Sequence, residues 1–224
     1  MPNDFLYPVP DLALGQFHRV EQTIKRSRFI CTAAHVTSPE EAKAFIDQIR
    51  EEFSDARHNC WAFAAGAPGA TAQVGMSDDG EPHGTAGRPM LTVLLHCGVG
   101  EIAVVVTRYF GGIKLGTGGL VRAYQGAVQA GLASSTIIDK KEGIQLTVGT
   151  DYTGLGKLQY LFGQNHTVIL DTAYEADVTM TILVPTEQKE TLPKEITELT
   201  NGSAGLEWGK TCVYALIDKE VVFF

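Results

Sequence analysis

Long apolar runs are missing from this chain. Stretches such as Ile102 to Val106 are far too short to cross a bilayer. The N-terminal MPNDFLYPVPDLALGQ has no basic segment followed by an apolar core, so no secretory signal is expected and a loose leader is predicted before the first strand. The four cysteines, Cys31, Cys60, Cys97 and Cys212, are widely spaced and form neither a CxxC nor a Cys/His ligand pattern. That excludes a disulfide scaffold and a zinc finger, and it points to a reducing compartment, with the cytoplasm as the expected location and no membrane partner. Excess positive charge is absent too. The net charge is −8, so the chain cannot coat nucleic acid nonspecifically. No internal repeat, low-complexity tract, Walker A loop, Rossmann GxGxxG, Gly-x-Ser-x-Gly elbow or HExxH is present.

What is present suits an α+β globular protein, with 44% hydrophobic and 20% charged residues over 224 positions. Charge divides unevenly. Residues 1–138 hold 11 basic against 13 acidic side chains, and residues 139–224 hold 7 against 13. A local basic patch is therefore possible only in the first half. The polar DKKEG at 139–143 marks a linker, which predicts two domains, 1–138 and 139–224.

In the first half, residues 17–36 read as two strands joined by a basic turn over Lys25 to Arg28. Ser38, Pro39 and Glu41 carry the signals of a capped helix start, and Ala42, Phe45, Ile46 and Ile49 continue at helical spacing to about residue 53. CWAFAAG reads as a strand, and 72–84 as a short strand running into a polar turn. A helix is expected over 85–98, capped by Thr85 and buried along Met90, Leu91, Leu94 and Leu95. A central strand is expected over 101–110 and a helix over 117–133. The tail reads strand–helix–strand–strand–helix–strand, with Pro193 predicted to kink its second helix. That order is the ferredoxin-like β-α-β-β-α-β pattern.

Three stretches carry chemistry. RYFGGIKLGTGGLVRAY (108–124) sets five glycines between a strand end and a helix start, where free N–H groups and the helix dipole attract anions. Gly116, Thr117, Gly118 and Gly119 form the candidate anion cradle, with Lys114 and Arg122 as charge partners, and Arg108, Tyr109, Gly111, Gly112 and Tyr124 complete the expected anion- or RNA-binding set. Together with Lys25, Arg26 and Arg28, this cation–aromatic mixture suits single-stranded RNA. The plainer reading makes the glycines a close-packed turn, the aromatics core, and the arginines partners of nearby acids. SDDGEPHGTAGRP (77–89) adds a second motif surface of Asp78, Asp79, Gly80, Glu81, Gly84, Thr85, Gly87 and Arg88. Its three carboxylates suit a hard cation, or else simple turn chemistry. In RHNCWA, His58 and Cys60 fall on the same side of a strand, as a nucleophile pair requires. A buried thiol and a satisfied imidazole account for them as well.

Taken together, SDDGEPHGTAGRPML and VVVTRYFGGIKLGTGGLVRAY, supported by KRSRFI and RHNCWAFAAG, resemble the signature of the IMPACT/YigZ family over residues 17–133. The tail from about 140 is similar to the second domain of its bacterial members. The resemblance implies a first domain with the β-α-β fold shared by domain IV of elongation factor G and a small-subunit ribosomal protein. It implies a second domain like the last domain of that factor, and a meeting of the two signature stretches on one surface. Eukaryotic members are translation regulators that bind a protein activator of a stress kinase and associate with ribosomes. The extra domain typical of those members is not seen here, so the kinase role is not carried over. Lys114 falls outside the family motif. The expectation is a noncatalytic binding protein of the translation machinery that needs no cofactor or metal. It would contact RNA, a ribosome-associated partner or another protein through 77–89 and 108–124. Competing readings are a metal-dependent enzyme on a phosphorylated or nucleotide substrate, and a purely protein-binding module.

Overall fold

A computed structural model describes residues 5–13, 15–165, 167–217 and 220–223. The chain is α+β and forms two compact units, one of residues 7–138 and one of residues 139–224 with 1–6.

In the first unit, β2 (His18–Ile24) and β3 (Ser27–His35) form a hairpin closed by two residues. After α1 (Pro39–Glu52) come β4 (His58–Ala64), β5 (Val74–Ser77), α2 (Gly87–His96), β6 (Ile102–Tyr109) and α3 (Thr117–Ser134). The strands make one antiparallel sheet in the order β2-β3-β6-β4-β5. Its central strand β6 is buried on both faces. Ile102, Val104 and Val106 point into the core shared with α2 and α3, and Ala103 and Val105 into the core shared with α1. This is why the strand reads as an unbroken apolar run.

The helix starts follow local chemistry. Ser38 Oγ accepts from the Glu41 N–H at 3.2 Å, as expected. The Glu41 carboxylate reaches one residue further back than a capping box requires, to the N–H of Thr37 at 2.7 Å.

The second unit runs β7 (Ile137–Thr150), α4 (Tyr152–Gln164), β8 (Val168–Tyr174), β9 (Val178–Pro185), α5 (Leu192–Leu199), β10 (Gly205–Ile217) and β11 (Glu220–Phe223). Its sheet order, β11-β10-β7-β9-β8, contains the antiparallel arrangement of a ferredoxin-like domain. Leu146, Val148, Met180 and Ile182 form its core with Leu158 and Phe162 of α4 and Ile196 of α5.

Several expectations are corrected. The leader contains strand β1 (Phe5–Pro10), which pairs with β7. Pro8 and Pro10 lack an N–H to donate, and the Pro8 carbonyl accepts from the Gly100 N–H at 2.9 Å. Residues 1–4 and 14 of that leader lie outside the described residues, as does residue 218 of the expected last strand. DKKEG is no linker but part of the 14-residue β7. Asp139 is exposed, Lys140 and Gly143 are buried and the two residues between them are half-buried, as a half-solvated strand allows, so polarity there does not mean a break. Pro193 stands in the first turn of α5, where its missing N–H costs nothing, and a separate 3₁₀ turn at Thr186–Gln188 precedes it.

Candidate functional site

All the stretches singled out in the first half leave the same end of one sheet. Register pairs Arg28 with Tyr109, Arg108 with His58, and Trp61 with Ser77. The Lys25–Arg26 turn, the start of β4, the 78–86 loop and the 110–116 loop therefore meet there.

The acids of this end are engaged by the protein itself. The Asp78 carboxylate accepts from the N–H groups of Gly84 at 2.8 Å, Ala86 at 3.0 Å and Gly87 at 2.8 Å. It is thus the cap of α2, reached across the loop. The expected cap, Thr85, instead donates its hydroxyl to the Pro82 carbonyl at 2.6 Å. Partial burial pushes the Asp78 carboxyl up, but the three backbone bonds together outweigh it and hold the group below the ordinary carboxylate range. Gly87 is required at the contact, since a Cβ there would lie 2.8 Å from the Ser77 backbone. The Asp79 carboxylate pairs with Arg50 and accepts from the Asn59 N–H at 2.7 Å. Its carbonyl meets His58 Nδ1 at 2.9 Å, and Gly80 lies against that ring. Glu81 is buried, paired with Arg108, and accepts from the Tyr124 hydroxyl at 2.8 Å. Among the described residues no three His, Cys, Asp or Glu side chains gather as a metal site.

The same network takes several expected contact residues out of play. Tyr124 is fully buried on the core stripe of α3, and Arg108 is buried between the rings of Phe29 and Phe110. Neither can meet a partner at the surface. Cys60 donates its one S–H toward the Asp78 carbonyl at 2.9 Å, and its Sγ lies 3.4 Å from the Tyr124 hydroxyl oxygen. Burial pushes its thiol up to about 12, opposite to what a nucleophile needs. Tyr109 is half-buried, with its hydroxyl on Asp55 at 2.7 Å and Arg28 over its ring. Arg28 is itself tied to Glu21 at 2.9 Å.

What remains outside is cationic. Lys25, Arg26, Arg57, Arg88, Lys114 and Arg122 are exposed, and none makes an ion pair among the described residues. Arg57 escaped the sequence reading. Its signal was its place just before His58, in register with the end of β6. Lys25 and Arg26 both sit in the left-handed region, with φ of 46° and 66°, where asparagine and glycine are usual in a two-residue hairpin turn. Gly111 presses on this turn so closely that a Cβ would stand 2.0 Å from the Arg26 carbonyl. Its N–H donates to Ser27 Oγ at 3.2 Å. The glycine loop and the basic turn are therefore one packed unit.

From there the chain enters α3 through Gly112 and Gly116, with φ of 85° and 74°. Gly116 is the N-cap and brings no side-chain acceptor. Leu120 is the first residue to close a helical bond, onto the Gly116 carbonyl at 2.9 Å. The N–H groups of Thr117, Gly118 and Gly119 thus have no partner in the helix, and the helix dipole adds positive potential beside them. Arg122 folds back over them: a Cβ on Gly118 would lie 3.7 Å from its Nη1. Phe110 and Ile113 are exposed on the loop, Phe110 by 55%. The motif from 77 to 89 thus supplies the frame, Arg88 excepted, and 110–122 with the basic turn supplies the surface.

Comparison with known proteins places these elements. The Impact N-terminal domain matches residues 25–132, and a domain of unknown function, DUF1949, matches 148–203. The IMPACT family member YigZ of Escherichia coli K12 is 44% identical over 84% of this chain and 92% of its own length. IMPACT family members of Haemophilus influenzae and Bacillus subtilis are 42% and 37% identical over 81% and 85% of the chain, and 88% and 87% of their own lengths. A crystal structure of a hypothetical protein, 42% identical, superposes with a TM-score of 0.58 over 89% of this chain and 95% of that one. No helix among the described residues is long and apolar enough to cross a membrane.

Proposed function

The chain belongs to the IMPACT family, and on that premise we propose that it is a noncatalytic, translation-linked regulatory protein that binds RNA phosphates at the basic end of its first sheet. One observation carries this reading. At that end the acids are consumed by internal partners, and Lys25, Arg26, Arg57, Arg88, Lys114 and Arg122 are left exposed without acid partners among the described residues. A domain with a small negative balance thereby presents a positive face, which is what phosphate contact needs. The free N–H groups at the start of α3 add donors for one phosphate. The exposed Phe110 ring adds a stacking surface.

The test is binding of a single-stranded oligoribonucleotide across a salt series. Each phosphate contact contributes about 0.7 to the slope of log K against log salt. Removing two cations, Lys25→Ala with Lys114→Ala, is expected to lower that slope by about 1.4 and to weaken binding at low salt. Absence of binding at low salt, or a slope unchanged by the double substitution, contradicts the reading. A protein-binding surface is the second reading, favoured by exposed Phe110 and Ile113. Ribosome association that survives nuclease treatment supports it over RNA contact.

A further inference from the structure

Between the basic turn and the start of α3 lies a cleft of about 200 Å³, lined by Ile24, Lys25, Leu115, Gly119, Arg122 and Ala123. Its walls are of two kinds. Ile24 and Leu115 are partly buried and continuous with the main core, and Ala123 closes the base. Lys25 and Arg122 stand exposed at the edge. No acid lines it. Gly119 keeps one wall low, because a Cβ there would come within 3.0 Å of Leu115 Cβ. The cleft is smaller than the 300–1,000 Å³ of pockets that enclose whole drug-sized ligands, so it suits a single ring and not a larger ligand.

Taking the RNA-binding reading as its basis, we propose that this cleft receives one unpaired nucleobase, so that the RNA is bound as a single strand. A phosphate alone would leave the apolar walls unused, and an apolar side chain alone would leave the two cations unused. A nucleotide matches both, with its base against Ile24, Leu115 and Ala123 and its phosphate beside Lys25, Arg122 and the free N–H groups. Arginine adds a planar cation that stacks on a base face. Duplex RNA cannot offer this group, because its bases are paired and stacked inside the helix.

Two titrations of the full chain test the proposal. In the first, a labelled single-stranded oligoribonucleotide is compared with the same strand annealed to its complement. In the second, adenosine 5′-monophosphate is compared with inorganic phosphate by NMR. The single strand is expected to bind at least tenfold tighter than the duplex. The nucleotide is expected to shift the Ile24 and Leu115 methyl signals, which phosphate leaves in place. Leu115→Ala should weaken the nucleotide about five- to tenfold, as loss of one apolar contact implies, with phosphate affinity unchanged. The exposed Arg122→Gln, which leaves the core untouched, should weaken both. Equal binding of single strand and duplex overturns the proposal and leaves the phosphate-binding reading standing. So does a nucleotide bound no better than phosphate, or one displaced by an acidic leucine-containing peptide that RNA cannot displace. Failure of both RNA forms to bind at low salt overturns the reading beneath it as well.

Discussion

Asp78 illustrates how a residue that reads as chemistry becomes architecture. Its carboxylate satisfies two N–H groups at the start of α2 and a third, of Gly84, in the loop that leads into it. Asp78→Ala leaves those donors without an acceptor and is expected to cost about 2–3 kcal/mol, read as a shifted midpoint in urea unfolding. The pH dependence has a definite sign. Because the folded carboxyl is held below its ordinary value, its contribution is present above about pH 4 and is lost as pH falls through the folded pKa. Asp78→Asn should flatten the acid limb of stability against pH, and an unchanged limb would show that other carboxylates dominate it. The sequence announced an acidic turn but could not say which N–H groups it served, since Gly84, Ala86 and Gly87 are six to nine residues away. Tyr124 and Arg108 misled for the related reason that an aromatic and a cation read as surface chemistry wherever they stand. In the fold their polar atoms meet Glu81 inside the core.

At the scale of elements, the hairpin turn is the informative case. Two cations occupy left-handed backbone that costs an ordinary side chain about 1–2 kcal/mol per residue. Asn-Gly would fit without that strain. Replacing Lys25-Arg26 by Asn-Gly is therefore expected to raise Tm by a few degrees and to weaken RNA binding at low salt. Higher stability with undiminished RNA affinity would make the turn's charge incidental. Most elements are legible in the sequence. The β-branched run of β6, the Ser38–Pro39 start of α1 and the order of the tail each follow from local rules. What escaped were segments whose partners decide their state. β1 is a strand because it pairs with β7, and the polar start of β7 is one because it pairs with β10, while Pro193 is tolerated because it falls in the first turn of α5.

Across the whole molecule, charge separates rather than accumulates. The first half is nearly balanced, yet six of its cations stand exposed, with no ion pair among the described residues, at one end of its five-stranded sheet, and the second half carries most of the negative charge. That distribution favours a local contact over general adhesion to nucleic acid. The place where RNA is held decides the matter, and amide chemical-shift mapping with a short single-stranded RNA reads it residue by residue. The largest shifts are expected on Lys25, Arg26 and the amides of Gly116 to Gly119, with the ferredoxin-like unit unmoved. Shifts concentrated in residues 139–224, or none near α3 at saturating RNA, would contradict this placement.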